Sequence, residues 1–382
     1  MRILLVACFT GNYMIPAFWD MGKILERLAE RVYILAPVWA ETEVKSGRVI
    51  NQKLRMILSP RITSSFVCGR ILRYLEHELQ TFYHLYRLRK DIDAILSFQS
   101  ISVLAILLCR LIRRRSVIYI GGNPRETLFK GHSVFLKPLA FLTLLLWRIS
   151  IGLATEVVAI SPSPLHNFGI KNKIHYAYAR LLDEKFRITQ PFEKRRNIVG
   201  YVGRLEDEKG ILELVSAFPL MRQKTSVDFL IVGDGSLLEP IKGLLGKKEE
   251  LLSDVTITGW VSNVPDYLNK MKLLVLPSKT EGLPSVILES MACGTPVLAT
   301  HVGDIPCVIK DGFNGFVLES TKPTYISEKI IELLGRPELL SEIAENASTW
   351  VRENFSFEQI VSQWRLIFCE LNKLNDSQEF DD

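Results

Sequence analysis

The chain has 382 residues, 48% hydrophobic and 23% charged, which is a globular composition of a length suited to two ordinary domains. Its net charge of +5 hides an asymmetry: residues 1–180 hold 25 Lys and Arg against 11 Asp and Glu, the remainder 22 against 31. The acidic second half argues against a nucleic-acid binder, because it would repel the phosphate backbone. Taken alone, the basic first half favours an anionic lipid surface, a phosphorylated acceptor or nucleic acid, the alternative being a merely solvated surface.

Met1-Arg2 followed by Ile3-Leu4-Leu5-Val6 reads as a buried strand, Ile3–Cys8. The apolar run is too short for a signal peptide and meets the polar Thr10-Gly11-Asn12 at once. Strands are then expected at Val32–Ala36, Ala94–Phe98, Val117–Ile120 and Val157–Ile160, with helices at Phe18–Ala29, Ile71–Arg89 and Val103–Arg113. Asp91-Ile92-Asp93 has the D-x-D form of metal-dependent sugar transferases, but it precedes its strand instead of following it and reads as strand-entry polarity. Arg113-Arg114-Arg115 reads as the cationic end of a helix. The most apolar stretch is Val134–Leu153, where Lys137 and Arg148 leave only Pro138–Trp147 uncharged. That is short of the ~20 residues that span a bilayer. A buried helix is expected; the alternative is an interfacial helix anchored by Phe141 and Trp147.

After a charged, aperiodic segment at Asp183–Asn197, the second half alternates strands and helices. Strands are expected at Ile198–Val202, Phe229–Val232, Val255–Ile257, Leu273–Leu276, Val297–Ala299 and Gly315–Leu318. Helices are expected at Ile211–Met221, Leu237–Leu252, Val264–Met271 and Val286–Ala292. Val/Ile/Leu-rich strands in a βαβα rhythm predict a parallel sheet covered on both faces. A final amphipathic helix carries Phe357, Ile360, Trp364 and Ile367 at helical spacing. Six cysteines without a C-x-x-C pair fit a reducing compartment better than a disulfide or zinc framework.

Ligands of doubly wound sheets sit beyond the carboxyl ends of the strands, and four candidate elements follow strands. Gly203-Arg204-Leu205 with Lys209-Gly210 offers a guanidinium and an ammonium to a departing diphosphate; Arg204 could instead pair with Glu206 or Asp207. Gly233-Asp234-Gly235 is a tight turn without the third glycine of a dinucleotide fingerprint. In Ser278–Glu289, Glu281 and Glu289 straddle a helix N-terminus, Pro284 suits the first helical position, and carboxylates there can accept hydrogen bonds from sugar or ribose hydroxyls. The structural alternative is that Glu281 favours the helix dipole and Glu289 is a surface residue. Gly259-Trp260-Val261 can meet a nucleobase through its backbone.

The succession VGRLEDEKG, VGDG, GWVSNVPDYL, PSKTEGLPSVILES and GTPVLAT-HVGDIP-DGFNGF resembles the C-terminal domain of glycosyltransferase family four, over roughly Asn197 to Phe355. The resemblance implies an α/β protein of the GT-B fold, two Rossmann-like doubly wound domains facing a central cleft. Residues 1–185, with a crossover helix at about 358–374, would form the acceptor domain, and 190–357 the donor domain. It implies that Arg204 and Lys209 hold the donor diphosphate and that Glu281 faces the donor sugar beside the backbone of Gly282 and Leu283. Gly203 lets the backbone approach, Glu289 binds the ribose, Val261 lies by the base, and Gly11 approaches the diphosphate from the opposing domain. The family's usual second glycine is Asn12 here, its common acceptor-side histidine is absent, and Cys307 stands where a glutamate is common. Asn123, Arg125 and Glu126 replace the acceptor-side group by position only.

The expected activity is retaining, metal-independent transfer of a sugar from a nucleotide diphosphate sugar, a substrate and not a cofactor, to a glycan or lipid-linked acceptor in cell-surface polysaccharide or lipopolysaccharide synthesis. Retention follows from the resemblance alone. The expected setting is the cytoplasm, with peripheral attachment to an anionic membrane surface and no nucleic-acid partner. The rival readings are a nucleotide-sugar epimerase of the same fold and a non-catalytic glycan- or membrane-binding scaffold.

Overall fold

A computed structural model describes residues 1–7, 15–37, 53–59, 67–99, 102–121, 137–161, 173–246 and 254–376. The chain divides into two compact units, Met1–Leu181 with Phe357–Asp382, and Leu182–Ser356.

The first unit runs β1 (Arg2–Ala7), α1 (Ile15–Leu28), β2 (Arg31–Pro37), β3 (Leu54–Ser59), α2 (Val67–Leu88), β4 (Ala94–Phe98), α3 (Val103–Leu111), β5 (Arg115–Ile120), α4 (Lys137–Leu153), β6 (Glu156–Ala159) and β7 (Lys173–Tyr176). Its strands are parallel in the order β3-β2-β1-β4-β5-β6-β7. Alternate residues of each strand face opposite ways, so Ile3 and Leu5 join one core and Leu4 and Val6 the other. Two edge strands, β3 and β7, carry Arg55, Lys173 and His175 and lack the continuous apolar run that marks the central strands. Strand entry at β4 is as the sequence suggests: Asp93 accepts from the Arg2 amide at 2.7 Å and from its guanidinium at 3.1 Å, while Ile92 is buried.

Two expectations for this unit are corrected. The apolar stretch forms α4, but not as a buried helix. Trp147, Ser150 and Ile151 are buried, whereas Phe141, Leu142, Leu145 and Ile149 are exposed. Nor does the arginine run end a helix: α3 stops at Leu111, Arg113 takes a left-handed turn (φ 53°), and Arg115 already opens β5.

The second unit runs β8 (Ile198–Val202), α5 (Ile211–Arg222), β9 (Asp228–Val232), α6 (Leu238–Gly246), β10 (Val255–Ile257), α7 (Val264–Leu268), β11 (Leu273–Leu276), α8 (Ser285–Ala292), β12 (Val297–Thr300), β13 (Phe316–Leu318), α9 (Pro323–Leu334) and α10 (Pro337–Phe355). The strands are parallel in the order β10-β9-β8-β11-β12-β13. Helix α7 ends short of the expected Met271 because the Asn269 side chain bonds backwards to the Pro265 carbonyl and onwards to the Thr189 amide. The expected helix to Leu252 is described only to Gly246.

The chain then returns to the first unit as α11 (Phe357–Asp376). Ile360, Trp364 and Ile367 pack with Phe18, Phe98 and Tyr119 in one core. The Trp364 indole donates to the Tyr178 carbonyl at 2.8 Å, which gives a buried aromatic its required polar partner.

Candidate functional site

In a doubly wound sheet the chain reverses its winding direction at one point, leaving a crevice beyond the strand ends there. In the second unit this point lies between β8 and β11, which are neighbours although 70 residues of sequence lie between them. The loops leaving these two strands carry Arg204, Lys209 and Glu281.

The β8 loop is shaped from inside. Leu205 is fully buried, and Tyr201, also buried, donates its hydroxyl to the Arg204 carbonyl at 2.7 Å. Asp207–Lys209 form one 3-10 turn closed by Gly210 in the left-handed region (φ 66°). A Cβ on Gly210 would lie 2.0 Å from the Pro277 carbonyl oxygen. Only glycine lets this turn press against the end of β11. Gly233 is similarly close, a Cβ there standing 1.8 Å from the Gly203 carbonyl oxygen, so Gly233-Asp234-Gly235 braces the Arg204 loop from behind: the Leu205 amide donates to the Asp234 carbonyl at 2.9 Å.

The result is a direct contact. The Lys209 ammonium donates to both carboxylate oxygens of Glu281 at 2.7 Å, and the Ser278 hydroxyl adds a bond of 2.8 Å. The Lys209 side chain is 18% exposed and that of Glu281 8%. The loops are joined again where the Lys279 amide donates to the Glu208 carbonyl and its ammonium pairs with Asp207 and Glu213. From β12, Thr300 donates to the Ser278 carbonyl at 2.6 Å. Gly303, at φ 59°, lies so close that a Cβ would stand 1.9 Å from the Glu281 carbonyl oxygen.

Arg204 is placed differently. Its guanidinium reaches neither Glu206 nor Asp207 but Glu208, at 2.5 Å and largely exposed. Glu206 is taken by Ser236, which holds its carboxyl below the usual range through its hydroxyl and amide. Gly282 and Leu283 follow Glu281 into α8, with Pro284 one residue before the first helical position. Glu289 is half-buried on α8. Gly259 bridges to Gly233, Trp260 is 77% exposed, and Val261 beside it is half-buried. Cys307 is exposed on a short 3-10 turn. Gly11, Asn123, Arg125 and Glu126 lie outside the described residues.

Three contributors carry no sequence signal of their own: Ser278 and Gly303 lie within longer loop motifs, and Tyr201 within a strand. In the first unit the corresponding reversal lies between β1 and β4. Gln99, just after β4, is a non-glycine residue at φ 50°, and its amide lies where a Cβ on Gly121 would stand, 1.8 Å away. Its signal was position alone, the first polar residue after a central strand.

Residues 183–350 match the family model described as glycosyl transferases group 1. An uncharacterized glycosyltransferase of Methanocaldococcus jannaschii is 33% identical over 174 residues, 45% of this chain and 48% of that protein. A capsular polysaccharide biosynthesis glycosyltransferase of Staphylococcus aureus is 25% identical over 334 residues, 76% of this chain and 85% of that protein. The chain spans about half the length of the first curated relatives it matches. The crystal structure of the Anabaena protein HepE in complex with UDP has a TM-score of 0.75 at 19% identity, over 97% of this chain and all of that one. With two parallel-sheet α/β units, the fold is GT-B.

Proposed function

We propose that this chain is a glycosyltransferase that moves a sugar from a nucleotide diphosphate sugar to an acceptor hydroxyl. The observation that carries the reading is the Lys209–Glu281 contact at the reversal point of the second sheet. A cation and an acceptor-only carboxylate are held together where doubly wound sheets bind ligands. The match of residues 183–350 to group 1 glycosyltransferases and the named activities of the relatives support it.

In this reading Arg204 and Lys209 take the donor diphosphate. Glu281 accepts hydrogen bonds from the sugar hydroxyls beside the Gly282 and Leu283 backbone. Glu289 binds the ribose, Val261 lies by the base, and Gly203 and Gly11 admit the backbone to the phosphates. The bond between the anomeric carbon and the diphosphate oxygen breaks, and its electron pair leaves with the diphosphate. The acceptor oxygen attacks from the same face, and its proton passes to the departing phosphate oxygen. Retention is supported by the sequence resemblance. Charge that develops on the leaving group is met by side chains already fixed in place, which is the efficient form of electrostatic catalysis; no step calls for a metal. The acceptor is a glycan or lipid-linked glycan of cell-surface polysaccharide synthesis, by analogy with the capsular relative, with Asn123, Arg125 and Glu126 on its side.

The test is transfer from labelled nucleotide sugars, combined with a thermal-shift screen of nucleoside diphosphates, since a tight ligand raises the melting point. Arg204→Ala and Glu281→Ala should each remove about 99% or more of turnover and leave the protein folded. Wild-type rates in both would reject the site. Epimerisation of the donor without acceptor, or nucleotide binding without any transfer, would overturn the transferase reading.

A further inference from the structure

The two faces of the first sheet differ. One is covered by α1 and α11, the other by α2, α3 and α4. An outer helical layer of an α/β domain normally turns its polar side to water. The α2–α4 layer does not. On α2, Leu75, Leu79, Phe82, Tyr83 and Tyr86 recur at helical spacing and stand exposed. On α3, Leu104, Leu107 and Leu111 do the same, Leu111 at 80%. On α4 the exposed row is Phe141, Leu142, Leu145 and Ile149, with Phe141 at 66%. These three adjacent helices hold twelve of the nineteen large apolar side chains exposed among the described residues. A concentration of that kind marks an interaction surface.

Charge identifies what the surface meets. Neither α3 nor α4 contains an acidic residue, and each presents an exposed arginine, Arg110 and Arg148. Arg87, Lys90 and Arg113 are also exposed at the ends of α2 and α3. Of the two α2 glutamates, Glu78 is buried and turned inward, donating nothing to the surface: its carboxylate accepts from the Val103 and Leu104 amides at the start of α3. Arg87 and Arg89 lie over the rings of Tyr83 and Tyr86, a pairing of cation and amphipathic aromatic suited to a membrane interface. Among the described residues no helix is long and apolar enough to cross a membrane.

We propose that the face formed by α2, α3 and α4 docks on an anionic lipid bilayer, with its apolar rows entering the interface and its arginines meeting the headgroup phosphates. The surface lies wholly within the first unit and stands apart from the donor-site reading.

The experiment is cosedimentation of the full chain with vesicles of phosphatidylcholine alone and with about 30% phosphatidylglycerol added. Binding is expected to favour the anionic vesicles and to weaken roughly tenfold between about 0.1 and 1 M salt. Leu111→Asp and Phe141→Asp together should abolish it. Arg110→Glu with Arg148→Glu should remove the anionic preference, which keeps the idea testable if the apolar variants fold poorly. Leu244→Asp, exposed on the second unit, is the unaffected control. Nucleotide binding without lipid should be unchanged in all variants, so loss of docking and loss of the donor site are told apart. The proposal is overturned if wild type ignores both vesicles, if the variants bind as wild type does, or if Phe141→Asp splits a dimer, which would assign the face to a second copy.

Discussion

The Lys209 ammonium sits 2.7 Å from each carboxylate oxygen of Glu281, although the two residues lie on loops from different strands. Both side chains are mostly shielded from water. Removing either one leaves the other charged with its main partner gone, which costs about 3 kcal/mol in a shielded pair. Lys209→Met and Glu281→Gln should therefore each lower stability, and the double variant should lose less than their sum. Urea unfolding of the four proteins measures the coupling; simple additivity would mean that the contact carries no free energy.

Gly303 sets the position of Glu281 from a third loop. Gly303→Ala would place a methyl 1.9 Å from the Glu281 carbonyl oxygen at a left-handed φ, so the backbone must move. A loss of about 2 kcal/mol is expected, with a fall in kcat larger than any change in nucleotide affinity. Gly243→Ala in α6, with nothing within 4 Å of the new methyl, should instead gain about 0.5–1 kcal/mol. Chemical denaturation of the pair checks the sign of both.

Glu78 substitutes for a helix cap. It accepts from two α3 amides, while the Ser102 side chain at the cap position makes no cap bond. Glu78→Ala should cost about 2–3 kcal/mol by orphaning both amides. Hydrogen exchange should show the loss first at Val103 and Leu104.

His77 gives a pH signature. Its Nε2 is buried without a partner, and burial pushes the ring down to about 4 from an ordinary 6.5. The folded state thus resists a proton that the unfolded chain accepts. Stability is fully present above the unfolded value and falls as pH drops from about 6.5 towards 4, by roughly 2 kcal/mol at pH 5. His77→Leu should flatten that part of the stability–pH curve; an unchanged slope would reject His77 as its cause.

The fold was legible where burial is complete. Central strands such as β4 and β11 are buried along their length, so they appear as apolar runs, broken in β4 only by the buried Ser97. Edge strands β3 and β7 meet a neighbour on one side only and tolerate Arg55 or His175, which erases the run. Helices α9 and α10 carry a local start signal in Pro323 and Pro337 at their first positions. Helix α4 is not legible as half-exposed, because apolar content alone does not distinguish a buried helix from one whose outer side is also apolar.

The site was legible as loops, not as contacts. Motif spacing located Arg204, Lys209 and Glu281, but pairing Lys209 with Glu281 requires β8 beside β11, a fact of strand order that no local pattern carries. Among Glu206, Asp207 and Glu208, local sequence cannot choose the partner of Arg204. The 3-10 turn chooses it, by pointing Asp207 to Lys279 and leaving Glu208 in reach.

Because α11 supplies Trp364 and its neighbours to the interior of the first unit, that unit is assembled from segments made at opposite times. Its hydrophobic centre stays unfilled while the second unit, contiguous in sequence, emerges from the ribosome and can already close. The later-made unit therefore matures ahead of the earlier-made one, and a chain halted before residue 357 would yield a finished second unit tethered to an unfinished first.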